Sequence, residues 1–314
     1  MQEIQNESYS RMNENEINLG DILFILLQRK WTVISISSLI SILGVIYSLY
    51  LPNIYESKAI LVPVSASNNI SSSLQGYSGL AGLAGISLPS AASSETNHIK
   101  AINKLSTLSF FENNVLPNIF LPNLMAFKSW DSRENIISYD KNIYNNNSWV
   151  REVSYPNKQI PSAQESFSVF KNKHININED KKNGLVTLTI RHQSPFIAKQ
   201  WAELIISEVN TFYRQKDKLE SQRAVIYLNE QMAFTNLSEI KQVIAQILQK
   251  ETQKLALIEA KQSYVFDYID PPAVMEQKSQ PQRSLICILS AIFGGFVGIF
   301  VALIKHYIYR KKVI

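Results

Sequence analysis

Cysteine is almost absent from this sequence. Cys287 is the only one in 314 residues and lies inside an apolar block, which excludes an intramolecular disulfide and a cysteine-based metal site. The histidines number four, His98, His174, His192 and His306, with no HExxH and no close pairing along the chain. A metal site would have to be assembled from distant parts, so surface or structural roles are expected for them. Glycine is sparse at ten, and none precedes a lysine, so the GxxxxGK[ST] loop that cradles nucleotide phosphates is missing. A GxSxG nucleophile elbow is missing too. Carboxylates such as Asp267 and Asp270 read as partners in local hydrogen bonds or ion pairs. The expectation is a non-enzyme with no catalytic residue, cofactor or metal.

Charge is missing from two long stretches. WTVISISSLISILGVIYSLYL, residues 31–51, and SLICILSAIFGGFVGIFVALI, residues 284–304, carry no Asp, Glu, Lys, Arg or His. Each matches the roughly 20 helical residues that cross a bilayer, and their placement at opposite ends favours membrane spans over buried core helices. About thirty residues precede the first block, too many for the basic region of a signal peptide, so it reads as a retained anchor. Arg29 and Lys30 before the first span, and Lys305, Arg310, Lys311 and Lys312 after the second, place both tails in the cytoplasm. Lys58, Lys278 and Arg283 leave some positive charge on the other side. The resulting domains are a cytoplasmic tail with an interfacial helix (1–30), a first span (31–51), a translocated domain (52–283), a second span (284–304) and a short tail (305–314). The net charge of +5 largely reflects the anchoring residues, so no nucleic-acid partner is expected.

INLGDILFILLQRKW, ahead of the first span, sets Leu19, Ile22, Leu23, Leu26 and Leu27 at helical spacing. It suits an interfacial helix, or an extension of the span. After the span, IYESKAILVPV (54–64) reads as a strand. The Ser/Asn/Gly/Ala-rich run that follows has no helical or strand period and reads as a long loop. A helix is expected from about Glu95 to Leu108, with Ile99, Ile102 and Leu105 on one face. Residues 113–161 are Asn-rich and broken by prolines, and suggest only loops and short helices. KHININED (173–180) and GLVTLTIRHQ (184–193) alternate in polarity around Asn183-Gly184, the strongest short signal for a hairpin. Ser194-Pro195 then suits a capped helix start.

From Phe196 to Asp270 neither glycine nor proline occurs, a run several times longer than an ordinary globular helix. Trp201, Leu204, Ile205, Val209 and Phe212 form a core-facing stripe, and Leu237, Ile240, Ile244 and Ile247 follow coiled-coil spacing. The expectation is one extended helix over about 196–262, reaching some 90 Å at about 1.5 Å per residue, with its seam met by other chains. An antiparallel hairpin turning near Asn229 or Thr235-Asn236 is the alternative. SYVFDYID (263–270) reads as a last strand. The order strand, helix, strand, strand, long helix, strand is the split βαβ or ferredoxin-like order, giving an α+β base between two membrane helices. In the spans, Ala291, Gly294, Gly295 and Gly298 make small-xxx-small pairs, and Ser37, Ser41, Gly44 and Ser48 lie on roughly one side of the first. The spans are expected to pack on each other or on a neighbouring subunit.

INLGDILFILLQRKW, YESKAILVPV, the glycine-free helical run and DPPAVMEQKSQPQRSLICILSAIFGGFVG together resemble the Wzz-type chain-length determinants, or polysaccharide co-polymerases. Pro271, Pro272, Pro281 and Arg283 fit that family's membrane-proximal proline segment, whereas Met275, Lys278 and Gln282 depart from it. The resemblance implies an inner-membrane protein whose periplasmic domains form a homo-oligomeric ring. It further implies control of the repeat number of O-antigen or a related glycan made by a Wzy-like polymerase. Lipid-linked polysaccharide and membrane lipid are the other implied partners. The missing nucleotide loop and short final tail point to the kinase-free type. SGLAGLAGISLPS (78–90) then becomes a mobile apolar loop in which Leu80, Leu83 and Ile86 meet a neighbouring subunit or the polymerase, or else an unpartnered tether. An adaptor for capsule or exopolysaccharide export is the alternative function. A transmembrane sensor is weakened by the short tails.

Overall fold

The computed structural model describes residues 24, 27–64, 92–260 and 263–312. The chain divides into two units. One joins Met1–Asn53 to Ser279–Ile314, and the other is Ile54–Lys278. Most of the residues before the first span lie outside the described ones, as do Leu80, Leu83 and Ile86.

In the first unit, α1 (Lys30–Tyr50) follows the first charge-free block and stops where the chain must turn extended ahead of Pro52, with Leu51 at ψ 135°. Its partner within the unit, the C-terminal helix, spans Arg283–Lys312. Both are long and apolar enough to cross a membrane.

The second unit is built on a four-stranded sheet. Its first strand is β1 (Tyr55–Pro63), and the next described element is α2 (Ala92–Leu105). A single turn, α3 (Leu108–Phe110), runs into a π-helical turn at Phe111–Val115 and a 3-10 turn at Leu116–Asn118. Then come α4 (Leu121–Met125), the hairpin β2 (Phe127–Asp131) and β3 (Ile136–Tyr139), and the ribbon β4 (Tyr144–Asn145) and β5 (Ser148–Trp149). Helix α5 (Ala163–Val169) leads to β6 (Ile175–Asp180) and β7 (Leu185–His192). Two helices, α6 (Pro195–Phe234) and α7 (Ser238–Ala260), precede β8 (Phe266–Asp270) and the C-terminal helix, numbered α8 here.

The strand order is β6-β7-β1-β8, with every neighbouring pair antiparallel. Period-two patterning sets the register. Ser57, Ala59 and Leu61 of β1 face Ile190, Leu188 and Val186 of β7, whose Ile190 and Leu188 also face Ile175 and Ile177 of β6. That row is the core face, and it packs with Trp201, Ile205 and Val209 of α6. The predicted stripe on α6 is therefore real, with Leu204 and Phe212 partly buried at its margin. The β6–β7 turn closes as the Asn183-Gly184 signal requires, with Gly184 at φ 69°.

Three expectations change in detail. In α2 the buried residues are Ala101 and Leu105, whereas Ile99 is 46% exposed. Ser194 starts α6 but makes no side-chain cap. Its N–H instead donates to His192 Nδ1 at 2.9 Å. The larger correction concerns the single extended helix over 196–262. Thr235 turns extended, with φ −87° and ψ 130°, and α7 begins only at Ser238. The ion pair of Lys218 with Glu259 shows that the chain folds back as a helical hairpin, since these residues lie almost symmetrically about the break. Thr and Asn are modest helix formers, so opening the helix there costs little. Folding back buries Ile244 and Ile258, worth about 2 kcal/mol each. Burial on α6 ends near Tyr213 apart from Ser221, so the hairpin extends beyond the sheet by about 20 residues, or roughly 30 Å.

Candidate interaction surfaces

The membrane helices offer the first surface. Helices α1 and α8 run antiparallel with small residues at the contact. A Cβ added at Gly298 would lie 2.9 Å from the Val33 carbonyl oxygen, and one at Gly294 would lie 3.0 Å from that of Ser37. One added at Gly44 would overlap Ser290 Oγ. Ser37 Oγ approaches the Ala291 carbonyl at 3.5 Å, while Ser41 turns its hydroxyl back to the Ser37 carbonyl at 2.8 Å. Ser48 is buried as well. Gly295 stands apart, with open space where its Cβ would be. The contact thus uses Ala291, Gly294 and Gly298, at spacings of three and four, and leaves Gly295 on another face.

The proline segment is split between the units. Pro271 and Pro272 follow β8 in the second, where Pro272 is buried and the Ala273 carbonyl accepts from Ser57 Oγ at 2.9 Å. Pro281 and Arg283 belong to the first, where Arg283 Nη2 donates to Asn53 Oδ1 at 3.1 Å. Arg283 therefore ties the start of α8 to the end of the α1 arm.

The helical hairpin offers the third surface. Of the seam residues, Ile244 is buried against its own chain, whereas Ile240 and Ile247 are 46% and 43% exposed. Leu237 sits in the break and is exposed. Ile226, Tyr227 and Phe234 are also exposed, so the hairpin presents an apolar row to its surroundings. Its root is firmly tied. Tyr264 OH donates to Asp217 Oδ2, and burial followed by that carboxylate pushes the phenol pKa up. Asn210, buried in α6, binds the backbone of the last strand with both ends of its amide. Its Oδ1 accepts from Val265 N at 2.8 Å and Phe266 N at 2.9 Å, and its Nδ2 donates to the Phe266 carbonyl at 2.9 Å.

Spacing along the chain shows no histidine cluster, yet His174 and His192 lie with ring centroids 5.5 Å apart, both against Trp201. His174 Nδ1 donates to the Arg191 carbonyl at 2.7 Å. His192 Nε2 donates to the Asn123 carbonyl at 3.0 Å, and its Nδ1 accepts from Ser194 N. Burial lowers the pKa of both, that of His192 to about 3, so both rings are neutral at ordinary pH. The β6–β7 register, which sets Ile175 opposite Ile190, was the signal that could have placed these residues together. Among the described residues no cluster of three or more His, Cys, Asp or Glu side chains could hold a metal ion.

The chain thus holds a mixed α/β unit, in sequence between two helices long and apolar enough to cross a membrane. Residues 15–105 match the family model described as Wzz, chain length determinant protein, which covers the N-terminal part of the resemblance. No curated protein matches the chain significantly. Among solved structures, a full-length bacterial polysaccharide co-polymerase is similar at 15% identity and TM-score 0.42, covering 93% of this chain and 99% of its own. A fragment of WzzB, a polysaccharide co-polymerase from Salmonella Typhimurium, is similar at 15% identity and TM-score 0.33, covering 73% of this chain and 100% of its own.

Proposed function

We propose that this protein is a non-enzymatic, kinase-free regulator of surface-polysaccharide chain length. It sits in a bacterial inner membrane with both termini cytoplasmic and the α/β unit periplasmic. There it acts as a homo-oligomeric scaffold on a Wzy-like polymerase that extends O-antigen or a related lipid-linked glycan. The observation that carries this reading is the Wzz family match over residues 15–105, which includes the first candidate span and β1. The strand order β6-β7-β1-β8 supports a ferredoxin-like base, the arrangement in which two βαβ halves interleave. Absence of the phosphate-cradling loop from the sequence supports the kinase-free assignment.

The test is the surface-glycan ladder on a gel, comparing a deletion strain with one complemented by this gene. Length control requires that deletion turn a clustered distribution into a randomly decaying ladder while total glycan persists. A distribution that keeps its shape while surface material falls and polymer accumulates inside would overturn the reading.

A further inference from the structure

Beside the histidine pair the α/β unit holds a cavity of about 270 Å³ that the scaffold role leaves unused. Met125, Phe127 and Val169 supply part of an apolar lining, and Lys173, Arg191 and Gln193 supply a polar one. His174 and His192 also line it. None of the lining residues is acidic.

The charge in the cavity is unbalanced. Lys173 stands exposed at the cavity's edge and, among the described residues, has no ion-pair or hydrogen-bonded partner. Arg191 donates from Nε to Glu56 Oε1 at 2.8 Å, leaving its two Nη groups without a bond to a described residue. Glu56 is shared between Arg191 and Lys58, and the buried imidazoles are neutral, so the lining, with Lys173 and Arg191 and no acid, is net positive. A charge-assisted contact to a carboxylate or phosphate is the interaction such groups favour, and guanidinium edges suit two oxygens at once.

Size and lining restrict the rest of the ligand. Pockets for drug-sized molecules run from about 300 to 1,000 Å³, so this one takes a group near the small end of that range, of the order of one ring. The apolar side chains suit the C–H face of a pyranose, and the Gln193 amide can both donate to and accept from hydroxyls. We propose that this cavity binds a hexose-sized anion, a uronic acid or a sugar phosphate, with its acidic group against Lys173 and Arg191. Free sugar and an acidic residue within a glycan both carry such an anion, and a direct binding assay separates them. Because binding is read directly, the proposal stands or falls apart from length control.

The experiment is a saturation-transfer NMR titration of the full chain in detergent micelles with glucuronate, glucose 1-phosphate and neutral glucose. Saturable binding of at least one sugar anion, with none of glucose, is expected. Lys173→Ala should weaken it at least tenfold, and Met125→Trp, which fills the cavity and leaves the charges in place, should abolish it. Melting curves check that both variants fold. Glucuronan oligomers competing with glucuronate would make a glycan residue the carrier, and no competition would make it the free sugar. Three results would overturn the proposal: equal binding of glucose, unchanged affinity in both folded variants, or no sugar signal. In the last case, binding of phosphatidylglycerol nanodiscs that Lys173→Ala abolishes would assign the cavity to lipid.

Discussion

His192 is the residue most completely determined by its surroundings. One ring nitrogen donates to the Asn123 carbonyl and the other accepts from Ser194 N–H, so β7, α4 and the start of α6 meet on a neutral imidazole. Adding a proton at Nδ1 would set it against that N–H. Burial accordingly lowers the pKa from 6.5 to about 3. The unfolded chain takes up this proton below about pH 6.5, whereas the native state resists until about pH 3. The stabilisation is therefore complete above pH 6.5, declines as pH falls through the window, and is gone below pH 3. Its size is on the order of 5 kcal/mol. Melting temperatures taken from pH 7 to pH 3 should fall steeply in the parent and much less in His192→Gln, whatever the variant's stability at pH 7. Equal slopes would show that other groups govern the acid response. Glycine supplies a second contrast. At Gly298 a side chain meets the Val33 backbone, while at Gly295 it meets open space. Gly298→Leu should cost about 1–3 kcal/mol by overpacking and lower the melting temperature in detergent. Gly295→Leu should leave it unchanged, and the reverse order would rule out this helix pairing.

At the scale of elements the hairpin formed by α6 and α7 is the feature to test. In a continuous helix residues 218 and 259 would stand about 60 Å apart, whereas here their side chains form an ion pair. Lys218→Cys combined with Glu259→Cys, in a Cys287→Ser background, should form an intrachain disulfide on mild oxidation and run faster on a non-reducing gel. Cross-linked dimers alone would favour an extended helix meeting another chain. This element also marks how far the sequence could be read. The β6–β7 hairpin was legible because alternation and Asn-Gly act locally and agree. The Trp201 stripe was legible because one face of a helix lies on one sheet. The break at Thr235–Leu237 carries no glycine or proline, and its cost is smaller than the burial of Ile244 and Ile258 that decides it. That burial depends on residues far away in the sequence. Residues 113–161 were unreadable for a similar reason. Their short strands are held by contacts such as Trp130 Nε1 to Asn135 Oδ1 at 2.8 Å, and the asparagines that obscured any period are turn residues, with Asn135, Asn146 and Asn147 at positive φ. Among the candidate surfaces, the glycine spacing in α8 was visible in the sequence. The choice of Gly298 over Gly295 for the contact was not, because it depends on which face α1 occupies.

On the scale of the whole molecule, the exposed apolar row of the hairpin connects structure to the proposed scaffold. Phe234, Leu237, Ile240 and Ile247 gain nothing from facing water, and exposed apolar side chains gathered on one element suit an association site. Ile244 is the internal control, because it lies four residues from Ile240 and three from Ile247 but packs within its own chain. A double variant, Ile240→Ser with Ile247→Ser, should keep the parent's melting temperature and reduce its mass in light scattering of the detergent-solubilised protein. Ile244→Ser should instead lower stability by about 2 kcal/mol, through loss of buried apolar surface. If the double variant keeps the parent mass, the hairpin row is not the subunit contact. If mass falls while the glycan ladder in complemented cells stays clustered, assembly through the hairpin is not what measures the chain. A fall in mass accompanied by a shortened or randomised ladder would join the two, and would place length control in contacts that one subunit leaves open.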